Sequence, residues 1–173
     1  IEGVETVMIE GDGNWKFTVE RFKVIDEEGV DYVIFRDTDS RLNKRESAAV
    51  EEWIKAGTAL HVMRDHPRHG SFPILAGMWG LKKEKFDYGM ADTLKDYEKR
   101  EIAEQYHYDQ IFLGSYIWPS FTNDCTIHDE FFTSNPFPLK REGDFFVGQS
   151  FDESDETPQD AIHEMKCFLM PHE

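Results

Sequence analysis

The sequence predicts an α/β fold, and three observations carry that prediction. Residues 30–37, VDYVIFRD, are dense in β-branched and aromatic side chains with no charge between Tyr32 and Phe35, as expected of a central strand covered on both faces. Residues 44–57, KRESAAVEEWIKAG, set Ala49, Val50, Trp53 and Ile54 at helical spacing while Arg45, Glu46, Glu51, Glu52 and Lys55 stay wet, and Gly57 closes the run. Residues 60–63, LHVM, read as a second short strand, so strand, helix and strand follow one another and imply a sheet with helices packed on it.

The other elements fit around that unit. VETVMI at 4–9 reads as a short strand, and WKFTVERFKVID at 15–26 offers Phe17, Arg21, Phe22, Val24 and Ile25 at spacings suited to a helix. FPILAGMWG at 72–80 mixes a strand-like run with two glycines. TLKDYEKREIAEQY at 93–106 is a polar helix with Asp92 available as its N-cap, and DQIFLGSYIW at 109–118 extends as another helix stopped by Pro119. TIHDEFF at 126–132 reads as a strand end, and the acidic tail around DESDETPQD begins a loop or a terminal helix.

With 173 residues, 39% of them hydrophobic and 14% aromatic, the chain has material for one domain, 1–173, with a sizeable core. A formal charge of -16 would repel a phosphate backbone or an anionic membrane surface, which argues against a nucleic-acid partner. A nucleotide remains compatible if a cation or a local Arg cancels its charge. Two cysteines, Cys125 and Cys167, without CxxC spacing argue against a disulfide scaffold or thiolate zinc, and suggest a reducing, cytoplasmic setting. No apolar run approaches the length of a membrane span.

The sharpest chemical feature is Asp37 and Asp39 at the C-terminal edge of the apolar strand, where open α/β sheets bind ligands. Two carboxylates so spaced can address one magnesium or manganese ion together with substrate phosphates, though solvated acids ending a strand look the same. RDHPRH brings Arg64, Asp65, His66 and His69 together after the next strand, a set able to line a sugar or phosphate site or simply to form a polar loop. His128 in TIHDEFF is a possible metal ligand, Asp109 and Gln110 open an apolar segment, and Trp79 lies between Gly77 and Gly80, which permit close backbone approach.

The succession FRDTDSRLNKRESAAVEEWIKAG, LHVMRDHPRH, ILAGMWGLK, YDQIFL, IHDEFF and FFVGQSFDE resembles a family of predicted bacterial and viral glycosyltransferases of the GT-A type, over about residues 15–155. The resemblance implies a central, mostly parallel sheet with flanking helices, and a manganese or magnesium ion held by Asp37, Asp39 and His128 on the diphosphate of a UDP- or GDP-linked sugar. It implies a glycan or other hydroxyl acceptor, with Asp109 and then Asp65 as the bases that take its proton. Arg36 and Arg64 would assist the phosphates, and His66, Gly77, Trp79 and Gln110 would shape the sugar pocket. Members carry a longer stretch before the segment equivalent to VETVMI, so the resemblance implies a domain lacking its N-terminal part.

Two rival readings differ in chemistry. VIFRDTDS superficially matches a haloacid-dehalogenase-like phosphatase, but Arg41 stands where that pattern wants Thr or Val. A non-catalytic carbohydrate-binding domain would use Trp79, Tyr116 and Trp118 as stacking faces, and leaves the two aspartates unexplained.

Overall fold

Short apolar runs place the sheet. In the computed structural model, which describes residues 3–11, 13–100, 105–133 and 135–169, four strands form: β1 (Tyr32–Arg36), β2 (Leu60–Arg64), β3 (Met78–Lys82) and β4 (Cys125–Asp129). Their order is β1-β3-β2-β4. The chain is thus mixed α/β, but the sheet is not mostly parallel. β3 runs back between β1 and β2 and pairs antiparallel with both, so that only β2 and β4 are parallel neighbours. β1, β2 and β4 still point the same way, and their C-terminal ends, Arg36, Arg64 and Asp129, share one edge of the sheet.

β1 was expected at the centre and instead forms an edge, with Ile34 40% exposed. The strand buried along its whole length is β2, between β3 and β4. No strand forms over residues 4–9, where Val4, Val7, Met8 and Ile9 are exposed.

One face of the sheet is covered by the helix Trp15–Asp26, which is 3₁₀ rather than α. Its buried residues Val19, Phe22 and Ile25 recur every third position, the repeat that stacks side chains on one side of a three-residue turn. Phe22 meets Phe35 and Trp79 edge-on at 5.1 and 5.3 Å. The other face is covered by α1 (Lys44–Ala56), capped by the Asn43 side chain and closed by left-handed Gly57. Trp53 of α1 packs over Gly80, where a side chain would crowd its ring. The expected wet side of α1 is partly wrong, because Arg45 and Glu46 are buried in ion pairs while Ile54 is exposed.

α2 (Met90–Glu98) starts one turn earlier than the Asp92 cap predicted, since Asp26 reaches across and accepts from the amides of Met90 and Ala91. The continuation predicted over 101–104 lies outside the described residues. α3 (Tyr108–Phe112) passes through a π turn at Leu113–Ile117 into α4 (Trp118–Phe121). Pro119 therefore does not stop the helix: it stands at the second residue of α4, directly after the π turn. α5 (Gln159–Leu169) completes the described chain. Cys125 and Cys167 are both free thiols, and no described helix is long and apolar enough to cross a membrane.

Candidate functional site

A cleft of about 560 Å³ opens between the Trp15–Asp26 helix, the end of β1, the Gly77 turn and α3. Its centre is Arg21, which donates to Asp37 Oδ1 at 2.6 Å and to Asp109 Oδ2 at 2.9 Å. One guanidinium thus holds two carboxylates, Asp37 and Asp109, that are far apart in the chain. Asp37 is over half exposed, whereas Asp109 is 11% exposed and also accepts from the Gln110 amide at 2.8 Å. Gly77 gives Asp37 its room, because a Cβ there would overlap the carboxylate. Gln110 lines the cleft and its side-chain nitrogen bonds His107 Nδ1 at 2.9 Å.

His69 borders the same space. Its Nδ1 accepts from the Asp65 amide at 3.1 Å, so the neutral ring carries its proton on Nε2. Burial pushes its pKa down to about 3, with nearby His66 and Arg64 acting in the same direction. Of the residues expected at the site, Asp37, Asp109, Gly77 and Gln110 meet in this cleft. The sequence presents Arg21 only as a helix position; a charged side chain between buried Val19 and Phe22 is the signal that it has a partner.

The remaining expected residues are drawn elsewhere. Asp65 is fully buried and accepts a two-point bond from Arg45 at 3.0 and 3.1 Å, a bond from Arg141 at 2.5 Å and one from the Val147 amide at 2.9 Å. With these donors filling both oxygens it ties α1, β2 and the 141–147 segment together and has no place for a substrate proton. His66 is buried, accepts the Arg68 amide on Nδ1 and donates Nε2–H to the Ala161 carbonyl at 2.9 Å, pinning α5. Arg64 pairs with buried Asp129 at 3.1 Å and donates to the Pro73 carbonyl. Arg36 pairs with Glu46 inside the second face, and burial there works against its charge. Trp79 is a core residue stacked on Phe35 at 4.5 Å, so it serves neither a donor pocket nor a three-residue stacking surface.

The three expected metal ligands do not converge. The backbone turns at Asp37, whose carbonyl accepts the Ser40 amide, and Asp39 is carried to a separate cavity of about 310 Å³ beside Asp152 and Glu156. His128 lies inside β4, where strand alternation turns it to the α1 face: its Nδ1 shares a 2.9 Å hydrogen bond with His61 Nε2, and Glu52 is 3.7 Å from its Nε2. Burial lowers its pKa, opposed by Glu52, and burial pushes His61 down to about 2, helped by His128 and Arg36. Among the described residues no three His, Cys, Asp or Glu side chains gather as a metal site. A hard divalent ion needs fewer, since one carboxylate and substrate phosphates suffice, and Asp37 alone of the three faces the large cleft. No family model matches the chain, and no curated protein or solved structure shows significant similarity to it.

Proposed function

We propose that the Arg21 cleft transfers a sugar from a nucleotide-diphosphate donor to a hydroxyl of a glycan acceptor, in a GT-A-like, metal-dependent domain. The observation that carries this reading is the meeting of Asp37 and Asp109 on one guanidinium in one cleft. The first is the carboxylate read as metal-facing, the second the one read as base, and the reaction needs both beside a single bound donor.

Charge accounts for the division of labour. Arg21 supplies one positive charge to two carboxylates, so a diphosphate is repelled unless a cation accompanies it. Asp37 would hold a manganese or magnesium ion, which would supply Lewis-acid neutralisation of the charge on the departing nucleoside diphosphate. Asp109, oriented by Arg21 and by the Gln110 amide, takes the acceptor proton as its oxygen attacks the anomeric carbon. The bond from that carbon to the diphosphate breaks with its electron pair leaving on the nucleotide. Gly77 keeps the backbone low enough for Asp37 to reach the ligand. Asp39 and His128 have no part in this arrangement.

Calorimetric titration of UDP and GDP, with and without manganese, tests the proposal. Binding that needs both the metal and Asp37, lost in Asp37→Ala, is the expected result and names the base. A folded wild-type chain that binds neither nucleotide overturns it.

A further inference from the structure

We infer that the mouth of the cleft is a stacking subsite for a neutral sugar ring, formed by Trp15 and Tyr106. The inference rests on the transferase reading and names the acceptor class. Trp15 is 46% exposed and Tyr106 66%, yet the two rings stand edge to face at 4.9 Å and line the same cleft as Asp109. Both are placed rather than trailing: Asn14 caps the helix that begins at Trp15, and His107 packs against Tyr106 at 4.5 Å.

A polar group waits beside these rings. The Gln110 amide is oriented by His107, and its Oε1 is buried with no hydrogen-bond partner. A buried carbonyl oxygen without a donor costs free energy unless a ligand supplies one. Aromatic faces beside one amide oxygen and one carboxylate match a sugar, which offers a C–H face to the rings and hydroxyl donors at its edge. A sugar hydroxyl donating to Gln110 Oε1 would satisfy that acceptor.

Charge selects a neutral glycan. Arg21 is already bound by two carboxylates, and the other described residues lining the cleft include no lysine or arginine. An acidic sugar at the mouth would meet Asp109 and find, among the described residues lining the cleft, no lysine or arginine free to pair with it.

The test is calorimetry with maltotriose, cellotriose, xylotriose and chitotriose on wild type and on variants shown to be folded by circular dichroism. At least one trisaccharide should bind, and Trp15→Ala and Tyr106→Ala should each weaken it about tenfold, the loss of one aromatic contact. Trp15→Phe, which keeps a ring, should retain most of the affinity, and Tyr88→Ala, at an exposed tyrosine outside the cleft, should leave it unchanged. Asp37→Asn should keep sugar binding while losing manganese-dependent nucleotide binding, so the subsite and the transferase reading fail separately. The subsite is overturned if wild type binds none of the four, if the two alanine variants bind as wild type does, or if they lose nucleotide affinity alone, which would make the rings a platform for the base.

Discussion

The Gly77 backbone and the Asp37 carboxylate are in such close contact that a Cβ at position 77 would overlap Oδ2. The turn that brings them together is closed by the Met78 amide on the Leu75 carbonyl, so the backbone on that side is held. The carboxylate must give way. Gly77→Ala should therefore swing Asp37 off Arg21 and lower manganese-dependent nucleotide affinity by about tenfold or more. The thermal midpoint should fall only a few degrees, because both groups are at the cleft surface. An unchanged affinity in titration would show that Asp37 does not face the bound ligand.

Asp37 and Asp39 should separate cleanly. Asp37→Asn removes the carboxylate that faces the cleft and should abolish metal-dependent nucleotide binding, whereas Asp39→Asn alters a different cavity and should cost less than about threefold. Paired titrations decide it, and equal losses in the two variants would restore a two-carboxylate ion site.

Asp65 should behave as a stabilising residue. Asn in its place leaves the buried Arg45 and Arg141 charges without their shared carboxylate, with only Glu130 still facing Arg45. Urea denaturation should show a loss of about 3–5 kcal/mol. A variant of full stability that fails only in sugar transfer would return Asp65 to a catalytic role.

Stability should fall on mild acidification. His61 and His69 have folded pKa values near 2 and 3 against an ordinary 6.5, and His128 is shifted in the same direction. Below about pH 6.5 the unfolded chain takes up protons that these rings refuse, so stability present above that pH is lost as pH falls toward the folded values. Each ring contributes a slope of up to about 1.4 kcal/mol per pH unit in that window. His61→Gln should make the fall between about pH 6 and pH 4 shallower by roughly that amount. Urea midpoints across the range measure it, and an unaltered slope would mean that His61 is protonated in the folded chain.

Much of the framework was legible because it depends on local periodicity. The α1 stripe around Ala49 and Trp53, the Gly57 terminator and the short strands LHVM and VIFR each follow from the spacing of apolar residues. The position of β1 was not legible, since a run of apolar residues does not reveal whether one neighbour or two will cover it. The same limit applied to RDHPRH. Its charges read as a solvated loop or a pocket; Arg68 is exposed, but Asp65 is internal because Arg45 and Arg141 come from 20 and 76 residues away to meet it. Half of the cleft could be read from DTD and YDQ, but Arg21 joins them across 88 residues, a relation that no local pattern contains.

The parallel pairing of β2 with β4 also favours an order of assembly. His61 and His128 are 67 residues apart, whereas β2 meets β3 through the much shorter loop between Val62 and Trp79. Closing the longer loop costs more entropy before any contact repays it, so the three strands β1, β3 and β2 can pair first and β4 docks last. Until it docks, the side of β2 that later receives β4 has no strand beside it, and His61 lacks its imidazole partner. A nascent chain that has not yet released β4 would therefore carry as an open edge the strand that the folded chain buries along its whole length, and that interval is when this protein is most exposed to self-association.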